Sequence, residues 1–155
     1  MDYTITHYER PNKNNKDVVD QVIAVIDSMV GKWFTSDVPH DTRKDLFFHD
    51  ALCLEIGGKI ASFIAFTSSE GSIVISLMGT HSDYHRKGYG SILIESLFEH
   101  TKHLGFNRIF AWTVPPKSKA SYQQTVDFYT KHGFIIEKEY SELWQSGTIQ
   151  LAKYM

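Results

Sequence analysis

Two cations followed by two glycines form the most chemically suggestive stretch of this chain, His85-Arg86-Lys87-Gly88-Tyr89-Gly90. An apolar run, Ile73-Val74-Ile75-Ser76-Leu77-Met78, precedes it and gives way to a polar turn, Gly79-Thr80-His81-Ser82-Asp83. Downstream, the spacing of apolar residues predicts an amphipathic helix from Ser91 to about Leu104. A strand that feeds a glycine-bearing loop at a helix start suits a phosphate group. Free N–H groups point out of the helix end, and the helix dipole adds partial positive charge there. Gly88 and Gly90 let the backbone approach a bulky anion with no Cβ in the way. Arg86 and Lys87 bring two formal positive charges to the same spot. On local letters alone, the same string also reads as a tight strand-to-helix turn.

Two common phosphate loops fail against the sequence. A P-loop needs Gly, four residues, then Gly-Lys-Ser/Thr, and Gly57-Gly58-Lys59-Ile60 does not fit it. The dinucleotide fingerprint needs a third glycine where Leu93 stands. What remains is x-x-x-Gly-x-Gly after a strand, with basic residues before the first glycine. This arrangement resembles the acyl-CoA pyrophosphate loop of the GNAT N-acetyltransferase superfamily, Gln/Arg-x-x-Gly-x-Gly/Ala, with His85 departing from the usual first letter. Phe128-Tyr129-Thr130-Lys131-His132-Gly133-Phe134 resembles that family's aromatic-Tyr-x-x-x-Gly-Phe segment. The alternating tail from Gly147 to Met155 stands where the family places its last strand. The resemblance runs from Leu52 to Met155.

The resemblance implies an acetyl-CoA-dependent N-acetyltransferase acting on a primary amine of a small molecule or protein, by direct attack and without an acyl-enzyme. It implies cofactor contacts from Met78, Gly79 and Thr80, whose amides would face the thioester oxygen and the pantetheine arm. Further contacts would come from His85, Arg86, Lys87, Gly88, Tyr89, Gly90 and Ser91. Tyr129 would be the general acid for the departing sulfur, since a phenol of ordinary pKa near 10 is protonated at neutral pH. A helix tyrosine packing its ring in the core is the competing reading. Where some relatives carry a glutamate base, this chain has Ala111-Trp112-Thr113-Val114, which leaves His81, His49 and Glu70 as base candidates. Tyr122 stands where the family often has an Asn that contacts CoA, and Lys117 and Lys119 either approach phosphates or sit in a solvated loop. Trp33, Phe34, Asp37, Asp41 and Trp144 are candidates to shape an acceptor pocket, with core packing the alternative for Trp33 and Phe34. A non-catalytic acyl-CoA-binding regulatory module, and a structural protein with a fortuitous glycine loop, stay open beside the enzyme.

To place these residues the chain needs strands and helices in a set order. Strands are expected over Asp2–Tyr8, Leu46–Ile56, Lys59–Thr67, from Ser72, over Arg108–Val114, Phe134–Tyr140 and Gln145–Lys153. Besides the helix opened by the loop, helices are expected from Asp17 to near Gly31 and over Ser118–Lys131, with a short helical or turn segment over Pro39–Asp45. That is an α+β, GNAT-like single domain over residues 1–155, with a mixed sheet of about seven strands and about four helices. A glycine such as Gly79 at the end of the fourth strand either frees backbone groups for a pantetheine arm or merely terminates the strand.

Composition agrees with one globular domain. The chain has 155 residues, 42% hydrophobic and 22% charged, with a net charge of −2. That charge argues against nucleic-acid and membrane partners. No apolar run approaches the ~20 residues of a membrane span. The lone Cys53 excludes an intrachain disulfide and fits a reducing, cytoplasmic compartment. Of eight histidines, His81 and His85 stand four apart in a turn and His100 and His103 three apart at a helix end, with no His-Glu-x-x-His string or Cys cluster, so no metal site is expected. Exposed sheet edges make a homodimer an option.

Overall fold

In the computed structural model, residues 2–144 and 146–155 are described. The strands are β1 (Thr4–Tyr8), β2 (Asp50–Ile56), β3 (Lys59–Ser69), β4 (Ser72–Thr80), β5 (Arg108–Thr113), β6 (Ile135–Tyr140) and β7 (Thr148–Tyr154). The α-helices are α1 (Lys16–Asp27), α2 (Val38–Asp45), α3 (Tyr89–His103) and α4 (Tyr122–Lys131). Short 3-10 turns occupy Pro11–Lys13 and Ser82–Tyr84. The seven strands form one mixed sheet in the order β1-β2-β3-β4-β5-β7-β6, so the expected α+β architecture holds. The chain divides into two compact units. One comprises the residues up to Thr67 with Leu77–Glu99, and the other Ser68–Ser76 with His100–Met155.

In the first unit, α1 carries its apolar residues at helical spacing. Val18, Val19, Val22, Ile23, Val25 and Ile26 are buried together with Ala51, Cys53, Phe63 and Ala65 from β2 and β3. Asn15 caps the helix, its side chain accepting from the Val18 amide at 3.3 Å. Ala51, Leu52, Cys53 and Leu54 are all buried. Successive residues of a strand face opposite sides, so β2 is covered on both faces, which explains its unbroken apolar run. The expected strand from Leu46 starts later. Leu46 instead closes α2, its amide bonded to the Thr42 carbonyl, and its side chain fills the core.

In the second unit, β4 pairs in parallel with β5 over Ile73–Ile75 and Ile109–Ala111. β7 lies antiparallel between β5 and β6. Ile109, Ala111 and Thr113 of β5 are buried, as are Val126 and Tyr129 of α4 and Phe134. The other face of this sheet is more open. There Gln150 accepts from the Trp112 indole at 3.2 Å and donates to Glu137 at 3.0 Å, and the Tyr154 hydroxyl donates to Glu137. The last helix begins at Tyr122 rather than Ser118, because Ser118 is held in a turn. Its amide bonds Pro115 at 2.9 Å, and its hydroxyl bonds the Ser146 carbonyl at 2.7 Å. Gln145, at the expected start of the last strand, lies outside the described residues.

Candidate functional site

The fourth strand does not stop at Met78. It runs through Gly79 to Thr80, so the glycine sits inside the strand. Gly79 is buried, and a Cβ there would lie 2.8 Å from Met29 Sδ and 3.3 Å from Phe63 Cε1. Close packing against Met29, just past the end of α1, and against Phe63 of β3, rather than strand termination, explains why this position lacks a side chain. The Ser62 hydroxyl donates to the Gly79 carbonyl at 3.1 Å, and the His81 amide donates to the Ala61 carbonyl at 2.8 Å. Both groups therefore point toward β3. Alternation along the strand turns the amides of Met78 and Thr80 the other way. Pairing with β5 covers Ile73–Ile75, and among the described residues Leu77 to Thr80 have no ladder partner along that edge of β4.

The turn after Thr80 is tied down from several sides. The Ser82 amide donates to Ser28 Oγ at 3.1 Å, and Ser28 Oγ in turn donates to the Val25 carbonyl at 2.6 Å. Ser62 and Thr80 share a hydroxyl–hydroxyl bond of 2.8 Å. The Asp83 amide donates to His81 Nδ1 at 3.1 Å, and the His85 Nε2 group bonds the Thr80 carbonyl at 2.5 Å. The chain then enters two left-handed residues, Arg86 (φ +63°) and Gly88 (φ +80°). A non-glycine residue with positive φ is held against its steric preference. At Gly88 a Cβ would meet nothing within 4 Å, so the loop is open there.

Helix α3 starts at Tyr89, two residues earlier than expected, which puts Gly90 in its first turn. Helical geometry leaves the amides of Tyr89 and Gly90 without an intrahelical acceptor. The Ile92 amide is the one that reaches back to the Gly88 carbonyl, at 3.1 Å. Left-handed residues immediately before a helix start turn successive amides toward one side, a concavity suited to an anion. Arg86 and Lys87 are exposed, with Lys87 Nζ 5.9 Å from the Tyr84 ring. Tyr84 and Tyr89 stand edge to face at 6.0 Å. This corner offers backbone donors at a helix start beside two exposed cations.

Tyr129 lies in the second unit on α4. It is 5% exposed, and its ring packs edge to face on Phe134 at 5.0 Å and Phe128 at 5.6 Å. Burial pushes its phenol well above the ordinary value, so it keeps its proton through the neutral range. Its hydroxyl forms no hydrogen bond to another described residue. Packing and a donor role are therefore compatible: the ring is core and the hydroxyl is unspent.

The other candidates divide. His81 in its neutral form accepts a hydrogen bond at Nδ1, so Nε2 carries the proton and offers no lone pair for a base. Glu70 makes the left-handed corner of the β3–β4 turn, at the opposite end of β4 from Thr80. His49 lies between α2 and β2, next to Asp50, which pairs with His7 at 2.8 Å. Lys117 is paired with Glu139 at 2.5 Å, and Lys119 lies over the Tyr122 ring at 5.9 Å. Phe34 packs on the α1 core, while Trp33 is half-buried under Lys32. Asp37 is exposed, its carboxyl held below the ordinary range by the Thr35 hydroxyl. Trp144 is 56% exposed. The hydrogen bonds from Ser28 and Ser62 that anchor the turn were not legible beforehand, since both serines lie in otherwise apolar stretches.

No curated protein matches the chain. A putative GNAT-family acetyltransferase from Desulfovibrio desulfuricans superposes with a TM-score of 0.84 at 14% identity, covering 99% of each chain. The ribosomal-protein-S18-alanine N-acetyltransferase from Escherichia coli gives 0.77 at 16%, covering 99% of this chain and 94% of that one. A GNAT acetyltransferase from Elizabethkingia anophelis, solved with acetyl-CoA bound, gives 0.74 at 12%, covering 99% and 98%. At these identities the likeness shows a shared fold. The family model described as Acetyltransferase (GNAT) family matches residues 23–134, from within α1 through the Arg86–Gly90 loop to Phe134. The chain belongs to the GNAT acetyltransferase family.

Proposed function

We propose that residues 1–155 form an acetyl-CoA-dependent N-acetyltransferase domain that transfers acetyl to a primary amine of a small molecule or protein. The observation that carries this reading is the corner at Arg86–Gly90, where two left-handed residues and a helix start present amides beside two exposed cations. Acetyl-CoA, when bound, supplies an activated acetyl thioester. The amides from Arg86 to Ser91 would hold its diphosphate, with Arg86 and Lys87 adding charge. Met78 and Thr80, on the unpartnered edge of β4, would donate to the pantetheine amides and to the oxygen that gains charge as the amine attacks. Holding the two reactants together supplies much of the rate. Tyr129 would keep a proton ready for the leaving sulfur. No residue of this chain is assigned as the base, so the acceptor would arrive neutral or lose its proton to water.

Support for an amine acceptor comes from the fold relatives, one of which is named for acetylating the alanine of a ribosomal protein. A cytoplasmic location rests on the single, buried, reduced Cys53. Among the described residues no helix is long and apolar enough to cross a membrane. A homodimer through the outer edge of β6 would cover Ile135 and Ile136, both more than half exposed. The test is thiol release from acetyl-CoA over a panel of amines. Turnover with at least one primary amine is expected; binding of CoA with no turnover on any amine would replace the enzyme by a cofactor sensor.

A further inference from the structure

We propose that the His85 side chain is a positioning residue that sets the shape of the anion loop from inside, without touching the ligand. The inference rests on the acetyl-CoA reading of that loop but concerns a contact visible in the chain itself. His85 Nε2 lies 2.5 Å from the Thr80 carbonyl. A carbonyl oxygen only accepts, so Nε2 must carry the hydrogen, whatever the charge on the ring. This bond closes the chain over the 3-10 turn Ser82–Tyr84, linking the last residue of β4 to the residue before left-handed Arg86. Thr80 is itself fixed by Ser62, and the next residues by Ala61 and Ser28. The bond thus transmits the position of β3 and α1 to the point where the backbone must turn against its preference. It also consumes the Thr80 carbonyl on the open edge, leaving the Thr80 amide as the donor there. A glutamine or arginine side chain has an N–H able to make the same bond, and a leucine of similar bulk has none.

Two measurements test this. In the free protein, a long-range 1H–15N spectrum should show His85 as the Nε2–H tautomer; the Nδ1–H tautomer would overturn the proposal whether or not CoA binds. By calorimetry with CoA, His85→Leu should raise Kd at least tenfold, and His85→Gln should restore it to within about threefold of the parent. At saturating acetyl-CoA, kcat of His85→Leu should stay within about twofold, since the loss lies in binding. Equal affinity of His85→Leu and the parent would overturn the proposal, as would a His85→Gln variant as weak as His85→Leu. If the parent itself gave no heat with CoA, the acetyl-CoA reading would fall, and the tautomer would still decide the His85–Thr80 bond.

Discussion

Gly79→Ala is the substitution that asks most of this structure. The added methyl would sit 2.8 Å from Met29 Sδ and 3.3 Å from Phe63 Cε1, where contact normally begins near 3.5–4.0 Å. Phe63 is fully buried and cannot yield, whereas Met29 is partly buried and flexible. Overpacking of this kind costs about 1–3 kcal/mol, with the lower half expected because a methionine can swing aside. At roughly 2–4 °C per kcal/mol for a chain of this size, Tm should fall by about 2–8 °C. The strain is shared with one side chain, so a Met29→Ala, Gly79→Ala double variant should be more stable than the sum of its single changes by about 0.5–2 kcal/mol. Denaturant melts of the four proteins measure this. Gly79→Ala within about 0.5 kcal/mol of the parent, or strictly additive variants, would refute the packing explanation for this glycine.

Other expectations follow from single residues. Tyr129→Phe keeps the ring packed on Phe134 and Phe128, so Tm should hardly move, while kcat should fall about a hundredfold if the hydroxyl is the acid. An unchanged kcat would return Tyr129 to a purely structural role. Burial raises both the Cys53 thiol and the Tyr129 phenol above their ordinary values of 9.0 and 10.0. The folded chain therefore holds protons that the unfolded chain releases, and stability should be full below about pH 9 and decline above it. Melting followed through the alkaline range should show this, and a Cys53→Ala variant should begin its decline later. The same burial makes Cys53 inert to thiol reagents until the protein is denatured.

The anion loop was legible because everything that makes it is local: a strand, two glycines, two cations and a helix start within one short stretch. Helix α1 was legible by periodicity, yet it carries no motif letters, so the sequence resemblance began at Leu52 while the family model reaches back to residue 23. Distant partners decided the rest. Gly79 reads as a strand terminator until Met29 and Phe63 are seen to crowd it. Ser118 reads as a helix start, but its amide turns back to Pro115 and its hydroxyl donates to the distant Ser146 carbonyl, and the helix begins at Tyr122. Lys117 looks available for phosphate until Glu139 is found beside it. The inward turn of His85 was beyond reach because its partner is a main-chain oxygen, which no pattern of side-chain letters reveals.

Titration of 15N-labelled protein with CoA, read at the backbone amides, tests the diphosphate corner most directly. The resonances of Arg86, Lys87, Gly88, Tyr89 and Gly90 should move together and saturate with the heat of binding. Saturable binding that leaves those amides in place, or no binding at all, would contradict the assignment of this corner to the cofactor.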